Sequence, residues 1–297
     1  MSLLDRLSRL ERLGGWRSAA FRAYLGVHHA AARAGVHVVR ASYDSPIPRR
    51  GDLPADVFTR LSPMRAIAWD PEAQLRFVET ELAPLIAQAP EGTLRRGNRT
   101  YDHVDADLLY GIVRWSRPKL VLELGSGYSS LVAAQALHDN GRGEIELHDP
   151  YPSPHVLEHP ELRDRVHTTS AQNVPEERIA ALQAGDVLFV DTTHTVKLGG
   201  DVNRIVFDLL PLVAPGVLVH FHDIFLPSDY LPDHLQGAHY WTEQYLLQAF
   251  LMYNDAWEVV VGGRAVALHD PARLAAAIPA FGPGVVPGAF WIRRRPS

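Results

Sequence analysis

The sequence predicts a doubly wound α/β fold, in which a mostly parallel sheet of seven strands follows a helical N-terminal extension. From Tyr101 onward, short apolar runs alternate with segments of helical periodicity, as expected when helices cover both faces of a parallel sheet. Four of these runs end in an acid, and the first leads into a turn with two glycines. Before Tyr101, the chain has helical patterns that are interrupted by prolines.

Each predicted strand is a short apolar run bounded by polar or turn-forming residues. In chain order the runs are KLVLEL, EIELHD, the weaker VHTTS, DVLFVD, GVLVHFHD, WEVVVGG and GAFWIRR. Helical patterns such as SSLVAAQALHDN and VNRIVFDLLPLV lie between the first five runs. The Ala-rich segment PARLAAAIPAFG separates the last two, which we expect to close the same sheet.

The first 39 or so residues are predicted to be helical, since a set of leucines recurs on one helical face: Leu3, Leu4, Leu7, Leu10 and Leu13. The segment ASYDSPIPRRGDLP then breaks the pattern with three prolines. We therefore predict an extension over residues 1–100 and the main domain over residues 101–297. Such an amphipathic helix usually docks on its own domain or on a second subunit, so a homo-oligomer is one outcome; a membrane surface is the less common use.

Composition excludes several classes of protein. The chain of 297 residues has a formal net charge of −5, which gives no basic surface for nucleic acid. It has no cysteine, so disulfides and thiolate metal sites are excluded and a reducing cytoplasm is compatible. It also lacks an apolar run of about 18 residues, the minimum for a membrane span. We expect a cytoplasmic protein whose partner is a small molecule.

The acids at the strand ends predict a ligand-binding edge. Ligands of open α/β sheets bind beyond the carboxyl ends of the strands, and the predicted strands end there in Glu123, Asp149, Asp191 and Asp223. A single acid at this place often only caps the next helix. Four acids on one edge instead favour a ligand with positive charge or a bound divalent metal, and they would repel a phosphate.

The glycine turn GSGYSS indicates which ligand this is. Gly125 and Gly127 are present, but Ser130 stands where a dinucleotide fingerprint has its third glycine. Asp149 follows Gly127 by 22 residues, a suitable spacing for an acid that binds both hydroxyls of a ribose. A cationic nucleoside without phosphates suggests S-adenosylmethionine.

The stretch VLELGSGYSS resembles the first motif of class I S-adenosylmethionine-dependent methyltransferases, which have a Rossmann-like fold. The resemblance covers roughly residues 101–291. It implies that the methionine and ribose parts of the cofactor lie against Glu123, Gly125, Ser126 and Gly127. It also implies that Asp149 binds the ribose and that Ala171 and Gln172 in TSAQN lie beside the adenine.

Within that class, DVLFVDTTHTVKLGGDV and LVAPGVLVHFHDIF are most similar to bacterial O-methyltransferases of small molecules, including metal-dependent ones that act on sugar hydroxyls of antibiotics. The resemblance implies Asp191 and His194 as catalytic residues, with His194 as the general base. It also implies a metal bound by Asp191 and the pair after the fifth strand, here His222 and Asp223. The relatives have two oxygen ligands in that pair, whereas imidazole suits Mg²⁺ poorly.

Two alternatives therefore stay open at this site. Either Asp191, His222 and Asp223 hold a divalent metal such as Mg²⁺ or Mn²⁺, or the site works without metal and His194 or His222 is the base. Both serve methyl transfer to a hydroxyl, because the enzyme must align the attacking oxygen and remove its proton. The other functions considered are a metal-independent methyltransferase acting on nitrogen or a carboxylate, and a noncatalytic S-adenosylmethionine-binding protein.

Aromatic residues after the fifth strand have two interpretations. In GAHYWTEQYLLQAFLMYN they recur at helical spacing, which is typical of core residues. Alternatively, Tyr240 and Trp241 flank the acceptor pocket, because the loop LPSDYLPDHLQG before them directly follows the fifth strand and could form a lid. His220 alternates with His222 along that strand, and we expect it to be buried without a chemical role.

Overall fold

The computed structural model describes residues 19–41, 45–94, 97, 98 and 100–296. Its contacts divide the chain into two compact units, the first ending at Val57 and the second beginning at Phe58. No helix of the described residues is long and apolar enough to cross a membrane.

The first unit contains one α-helix, α1 (Ala19–Arg33), and a short 3₁₀ turn, Arg50–Asp52, among the residues described. The prediction of helix is confirmed for the range of α1. None of the residues of α1 is buried in this structure. The predicted leucine face from Leu3 to Leu13 lies outside the described residues.

The second unit is built on a sheet of seven strands, and every strand predicted from the sequence is present. The strands are β1 (Leu120–Leu124), β2 (Glu144–His148), β3 (Val166–His167), β4 (Val187–Val190), β5 (Leu218–Phe221), β6 (Trp257–Gly262) and β7 (Phe290–Arg294). Their order is β3-β2-β1-β4-β5-β7-β6. The first five are parallel, whereas β7 lies antiparallel between β5 and β6.

Helices cover both faces of this sheet. They are α2 (Pro71–Phe77), α3 (Ala83–Ile86), α4 (His103–Ser116), α5 (Tyr128–Asn140), α6 (Pro154–Leu157), α7 (Glu176–Ala180), α8 (Asp201–Arg204), α9 (Pro232–Gln236), α10 (Glu243–Leu251), α11 (Gly263–His269) and α12 (Pro271–Ala277). A π-helical turn, Val78–Leu82, joins α2 to α3, and a second one, Ile205–Leu209, follows α8. Short 3₁₀ turns lie at Arg163–Arg165, Ala171–Asn173 and Leu210–Leu212.

The strands divide the core in two because side chains alternate between the faces of a sheet. Val121 and Phe189 belong to a cluster with α4 and α5, whereas Leu122 and Leu188, one residue away, belong to a cluster on the opposite face. Both faces are therefore buried, as parallel sheets require. By the same alternation, Glu123 enters the face of α4 and α5, where only a paired or neutral acid is stable.

Residues 71–86 pack into the same unit as the sheet. Leu75, Val78 and Leu82 are fully buried in the cluster that contains α4 and α5. Burying one such side chain contributes about 1.5–3 kcal/mol, so this stretch is an integral part of the second unit. Contacts thus divide the chain between Val57 and Phe58, and the predicted boundary between domains at residue 100 stays a prediction.

The strand order places the carboxyl ends of β2, β1, β4 and β5 side by side at one edge. After β1 the chain builds β2 and β3 on one side, and it then returns to build β4 and β5 on the other side. Such a reversal opens a crevice beyond the ends of β1 and β4, which is where ligands bind in doubly wound folds.

Candidate active site

The turn after β1 is held against the end of β4. Gly125 has a φ of +100°, which favours glycine, and a Cβ added there would lie 2.1 Å from the carbonyl oxygen of Asp191. The backbone N–H of Gly125 donates to the carbonyl of His148, 2.9 Å away, at the end of β2. This position therefore requires glycine because three strand ends converge on it.

The serine that replaces the third glycine closes the start of α5. Ser130 Oγ accepts a hydrogen bond from the backbone N–H of Gly127 at 3.1 Å. A free N–H at a helix start is one of the groups that needs such a partner. Ser130 is fully buried, so this turn is built for a local cap and not for the close approach of a pyrophosphate.

Glu123 and Asp149 lie on either side of this turn. Glu123 is 1% exposed, and Ser129 Oγ donates to its Oε1 at 2.5 Å. Burial raises the pKa of Glu123 to about 8, against the hydrogen bonds from Ser129 and Ser130. Asp149 Oδ2 accepts a hydrogen bond from Ser126 Oγ at 2.7 Å, so the predicted ribose acid is tied to the glycine turn.

Ala171 and Gln172 lie in the 3₁₀ turn that follows β3. Ala171 is buried and Gln172 is half-buried. The structure thus places them beyond the end of an edge strand, next in order to β2. Their contact with adenine stays a prediction.

The four remaining predicted residues form one cluster beyond β4 and β5. His194 Nε2 lies 3.2 Å from Asp191 Oδ1 and 3.7 Å from Asp223 Oδ2. His222 Nδ1 lies 3.5 Å from Asp191 Oδ2 and 3.6 Å from Asp223 Oδ2. Each imidazole is therefore shared between the same two carboxylates.

The charges of this cluster support one another. Burial opposes the charge on His194, but hydrogen bonds with Asp191 and Glu243 raise its pKa to about 10. Burial also opposes the charge on His222, whereas Asp223 and Asp191 raise its pKa well above the ordinary value. The pKa of Asp191 is lowered, against its burial, chiefly by the charge of His222 and the hydrogen bond with His194. Asp191 and the two histidines thus each favour the charged form of the others.

The family of the domain follows from a sequence match over this site. Residues 122–224 match the family model of a methyltransferase domain, and the match spans the glycine turn, Asp149 and the cluster around Asp191. Residues 122–224 therefore form a methyltransferase domain, in agreement with the predicted resemblance to S-adenosylmethionine-dependent methyltransferases. No curated protein matches the sequence of this methyltransferase.

Solved structures of methyltransferases are distant from this one. A methyltransferase from Geobacter sulfurreducens is 18% identical with a TM-score of 0.39, and the match covers 72% of this chain and 89% of that one. The O-methyltransferase TomG from Streptomyces achromogenes, involved in tomaymycin synthesis and solved in complex with SAM, is 15% identical with a TM-score of 0.39. That match covers 78% of this chain and 92% of that one.

Three residues of the methyltransferase site were not predicted from the sequence as site residues. Glu243, at the start of α10, is 1% exposed, and its Oε2 lies 2.9 Å from His194 Nδ1. Asp105, on α4, lies 3.6 Å from His222 Nε2 and accepts hydrogen bonds from the N–H groups of Gly288 and Ala289. The ring of Tyr101 lies 4.8 Å from that of His222.

The signal for these residues is weak in the sequence. Glu243 follows a run of aromatic residues that reads as core, and Asp105 resembles an ordinary acid in the first turn of a helix. Both lie far along the chain from the histidines that they contact. His220 is fully buried, as predicted, and burial lowers its pKa well below the ordinary value; its lack of a chemical role stays a prediction.

The loop after β5 brings one predicted aromatic residue to the site. The ring of Trp241 lies 4.5 Å from that of His194, and it also contacts His234 at 4.6 Å. Trp241 therefore packs beside His194, and its place at the acceptor pocket stays a prediction. A role of Tyr240 in the acceptor pocket stays a prediction.

A cavity of about 740 Å³ opens next to this cluster. It is lined by Asp105 of α4, by His222 and Asp223 after β5, and by Phe225, Leu231 and His234 of the following loop. Its size is in the range of pockets that hold small molecules. The methyltransferase thus has space for a second substrate beside the acid and imidazole groups.

The predicted metal ligands do not surround a common point. Both histidines of the cluster lie between the carboxylates of Asp191 and Asp223. Among the residues that the structure describes, one set of three His, Asp or Glu side chains has its ligand atoms within 4.8 Å of one another. That set lies elsewhere on the sheet. The arrangement fits an ion-paired cluster, and we derive no catalytic step from a metal. The assignment of Asp191, His222 and Asp223 as metal ligands stays a prediction.

Proposed function

We propose that the protein transfers a methyl group from S-adenosylmethionine to a hydroxyl of a small molecule or a sugar. The observation that carries this proposal is the Glu243–His194 pair, whose Nε2 side faces Asp191 and Asp223 at the carboxyl edge of the sheet. An imidazole that is oriented through one nitrogen by a buried carboxylate is the usual arrangement of a general base.

Residues around the glycine turn support the binding of the cofactor. The close approach of Gly125 to Asp191 and the Ser126–Asp149 hydrogen bond leave an acidic crevice with a local helix cap. S-adenosylmethionine, when bound, supplies a methyl group on a positively charged sulfur. The neighbouring acids Glu123, Asp149 and Asp191 favour that positive charge.

His194 is the group that would accept the proton of the hydroxyl at its Nε2. In the protein without ligands, the pKa of His194 is raised to about 10, so the ring already holds a proton at neutral pH. A cation bound near Asp191 disfavours a second positive charge and thus lowers this pKa. Cofactor binding therefore favours the neutral ring that the reaction needs, while Glu243 holds its orientation.

The cavity beside His222 and Asp223 is the place where we expect the acceptor. Its lining combines carboxylates and imidazoles with apolar side chains from the loop after β5, which suits a polar molecule with several hydroxyls. Trp241 would limit the access of water to His194 from the loop side.

The test combines calorimetry with turnover. The wild-type protein should bind S-adenosylmethionine and methylate some members of a panel of polyhydroxylated acceptors. His194→Gln should lower turnover by about 100-fold or more, because a general base typically contributes that much, and it should leave the affinity for the cofactor nearly unchanged. The matched control is His138→Gln, at an exposed histidine near the end of α5.

Each part of the proposal has its own contrary outcome. Wild-type turnover by His194→Gln would contradict its role as base, and absence of cofactor binding would contradict the function itself. Turnover only on amines or carboxylic acids in the same panel would favour the alternative acceptors. Loss of activity in EDTA with recovery in Mg²⁺ or Mn²⁺ would favour the metal-assisted alternative, whereas activity kept in EDTA supports the ion-paired cluster.

A further inference from the structure

A second cluster of histidines lies on the outer part of the sheet, away from the cluster around Asp191. It consists of Glu146 and His148 on β2 and His167 on β3. Each offers one ligand atom, and the three atoms all lie within 4.8 Å of one another. Among the residues that the structure describes, it is the only set with this property.

The sheet itself brings the three side chains together. Glu146 and His148 are two residues apart on one strand, so they point to the same face. His148 and His167 are register partners in the parallel pair of β2 and β3, and their rings stack with centroids 4.8 Å apart and an angle of 17°. The positions are therefore fixed by backbone pairing and do not depend on a flexible loop.

The cluster is partly buried and open on one side. Glu146 is 9% exposed and His148 is 4% exposed, whereas His167 is exposed. His148 Nε2 lies 2.7 Å from Glu146 Oε1, and the other nitrogen, Nδ1, is buried without a hydrogen-bond partner. A buried imidazole with an unpaired nitrogen is costly, which indicates that the observed hydrogen bond is not the complete environment of this ring.

Arg178 holds the acid of the cluster in place. Its guanidinium donates from Nε to Glu146 Oε1 at 3.1 Å and from Nη2 to Oε2. Oε2, which accepts one of these bonds, has further acceptor capacity, and hydrogen bonds of this kind orient metal ligands in many sites.

We propose that Glu146, His148 and His167 bind one divalent transition metal ion, of which Zn²⁺ is the representative. Two imidazoles and one carboxylate are a donor set that suits Zn²⁺, Co²⁺ or Ni²⁺ and not Mg²⁺ or Ca²⁺. Water completes the coordination on the exposed side of His167.

The ion would link β2 to β3 next to the cofactor crevice. β3 has only two residues and forms the edge of the sheet, and its His167 carbonyl accepts the N–H of Asp149 at 3.1 Å. A metal bound to both strands therefore stabilises the edge that carries the ribose acid. This inference does not depend on the methyl acceptor or on the base at His194.

Co²⁺ is the probe for a direct test on the full chain after removal of metals with EDTA and dialysis. The wild-type protein should bind one equivalent of Co²⁺ with visible d–d absorption. His167→Gln and His148→Gln should weaken this binding at least about tenfold, since loss of a ligand costs no less than loss of a group that orients one. His138→Gln is the histidine control, and Asp191→Asn separates this site from the other cluster because it should leave the absorption unchanged.

Thermal unfolding tests whether the variants bind less metal because a ligand is missing and not because the fold is lost. Without metal, His167→Gln should unfold at the wild-type temperature, because its side chain is exposed. Zn²⁺ should raise the unfolding temperature of the wild type and not that of His167→Gln, because a ligand of the native state stabilises it. Equal Co²⁺ affinities of wild type and His167→Gln would overturn the proposal, and so would a wild-type protein that does not bind Co²⁺ at micromolar concentration.

Discussion

Glu123 shows how one buried acid is tuned by its position on a strand. It lies on the face of β1 that packs against α4 and α5, where burial raises its pKa to about 8. Ser129 and Ser130 act in the opposite direction, since hydrogen bonds favour the charged form. The acid can thus be neutral in the protein without ligands and become charged when a cation binds nearby.

This raised pKa predicts how stability changes with pH. The folded protein binds the proton of Glu123 more tightly than the unfolded chain, whose value is near 4.5. The stabilising effect is fully present below that unfolded value and is lost as the pH rises from about 4.5 to about 8. In Glu123→Gln this loss is absent, so the free energy of unfolding of the wild type should fall relative to the variant over that range.

Urea denaturation at a series of pH values measures this difference. We expect a change of a few kcal/mol in the wild type relative to Glu123→Gln, at about 1.4 kcal/mol for each unit of pKa. Glu161→Gln, at an exposed acid of the same unit, is the control and should follow the wild type. Parallel curves for wild type and Glu123→Gln would show that Glu123 is ionised over the whole range.

At the scale of elements, the β1–α5 turn and the end of β4 pack closely at a single glycine. A side chain at Gly125 would have its Cβ 2.1 Å from the carbonyl oxygen of Asp191, and the φ of +100° adds strain. Gly127, two residues later, has an extended φ of 177°, and nothing lies within 4 Å of its Cβ position. The two glycines of the motif therefore have different structural roles.

Alanine substitutions separate these roles. Gly125→Ala should lower the free energy of unfolding by at least about 3 kcal/mol, because the backbone of either loop must move. Gly127→Ala should change it by less than about 1 kcal/mol. Chemical denaturation of both variants checks the difference. Similar losses for both would mean that the loop after β4 can move away from the turn at little cost.

The local sequence pattern was sufficient to predict the strands and part of the candidate site. Each strand is an apolar run bounded by turn residues, and even the two-residue β3 could be located from VHTTS. The strand-end acids and His194 could also be located, because the ends of parallel strands meet at one edge. Asp105 and Glu243 could not, since their contacts with His222 and His194 depend on how helices far along the chain pack. The D-x-x-H spacing alone also did not predict that both histidines of the cluster would pair with two acids.

At the scale of the whole molecule, four strand ends bring acids together at one edge of the sheet. Glu123 and Asp149 lie at the glycine turn, and Asp191 and Asp223 share the two imidazoles. The net charge of the chain is only −5, so this edge is a local concentration of acids and not a property of the total charge. Its field should distinguish a positively charged ligand from a neutral one of the same shape.

S-adenosylmethionine and S-adenosylhomocysteine provide that comparison, since they differ by the methyl group and by the charge on sulfur. Asp191→Asn should weaken the binding of the charged cofactor about tenfold more than that of the neutral product, because one unit charge at several Å is worth roughly 1–2 kcal/mol in a partly solvated crevice. Asp255→Asn, at an exposed acid, is the control and should leave the ratio of the two affinities unchanged. Calorimetric titration of both ligands gives the ratio directly. Equal weakening of both ligands would mean that Asp191 acts through the shape of the crevice, and the preference for a cation would then lie with the remaining acids of the edge.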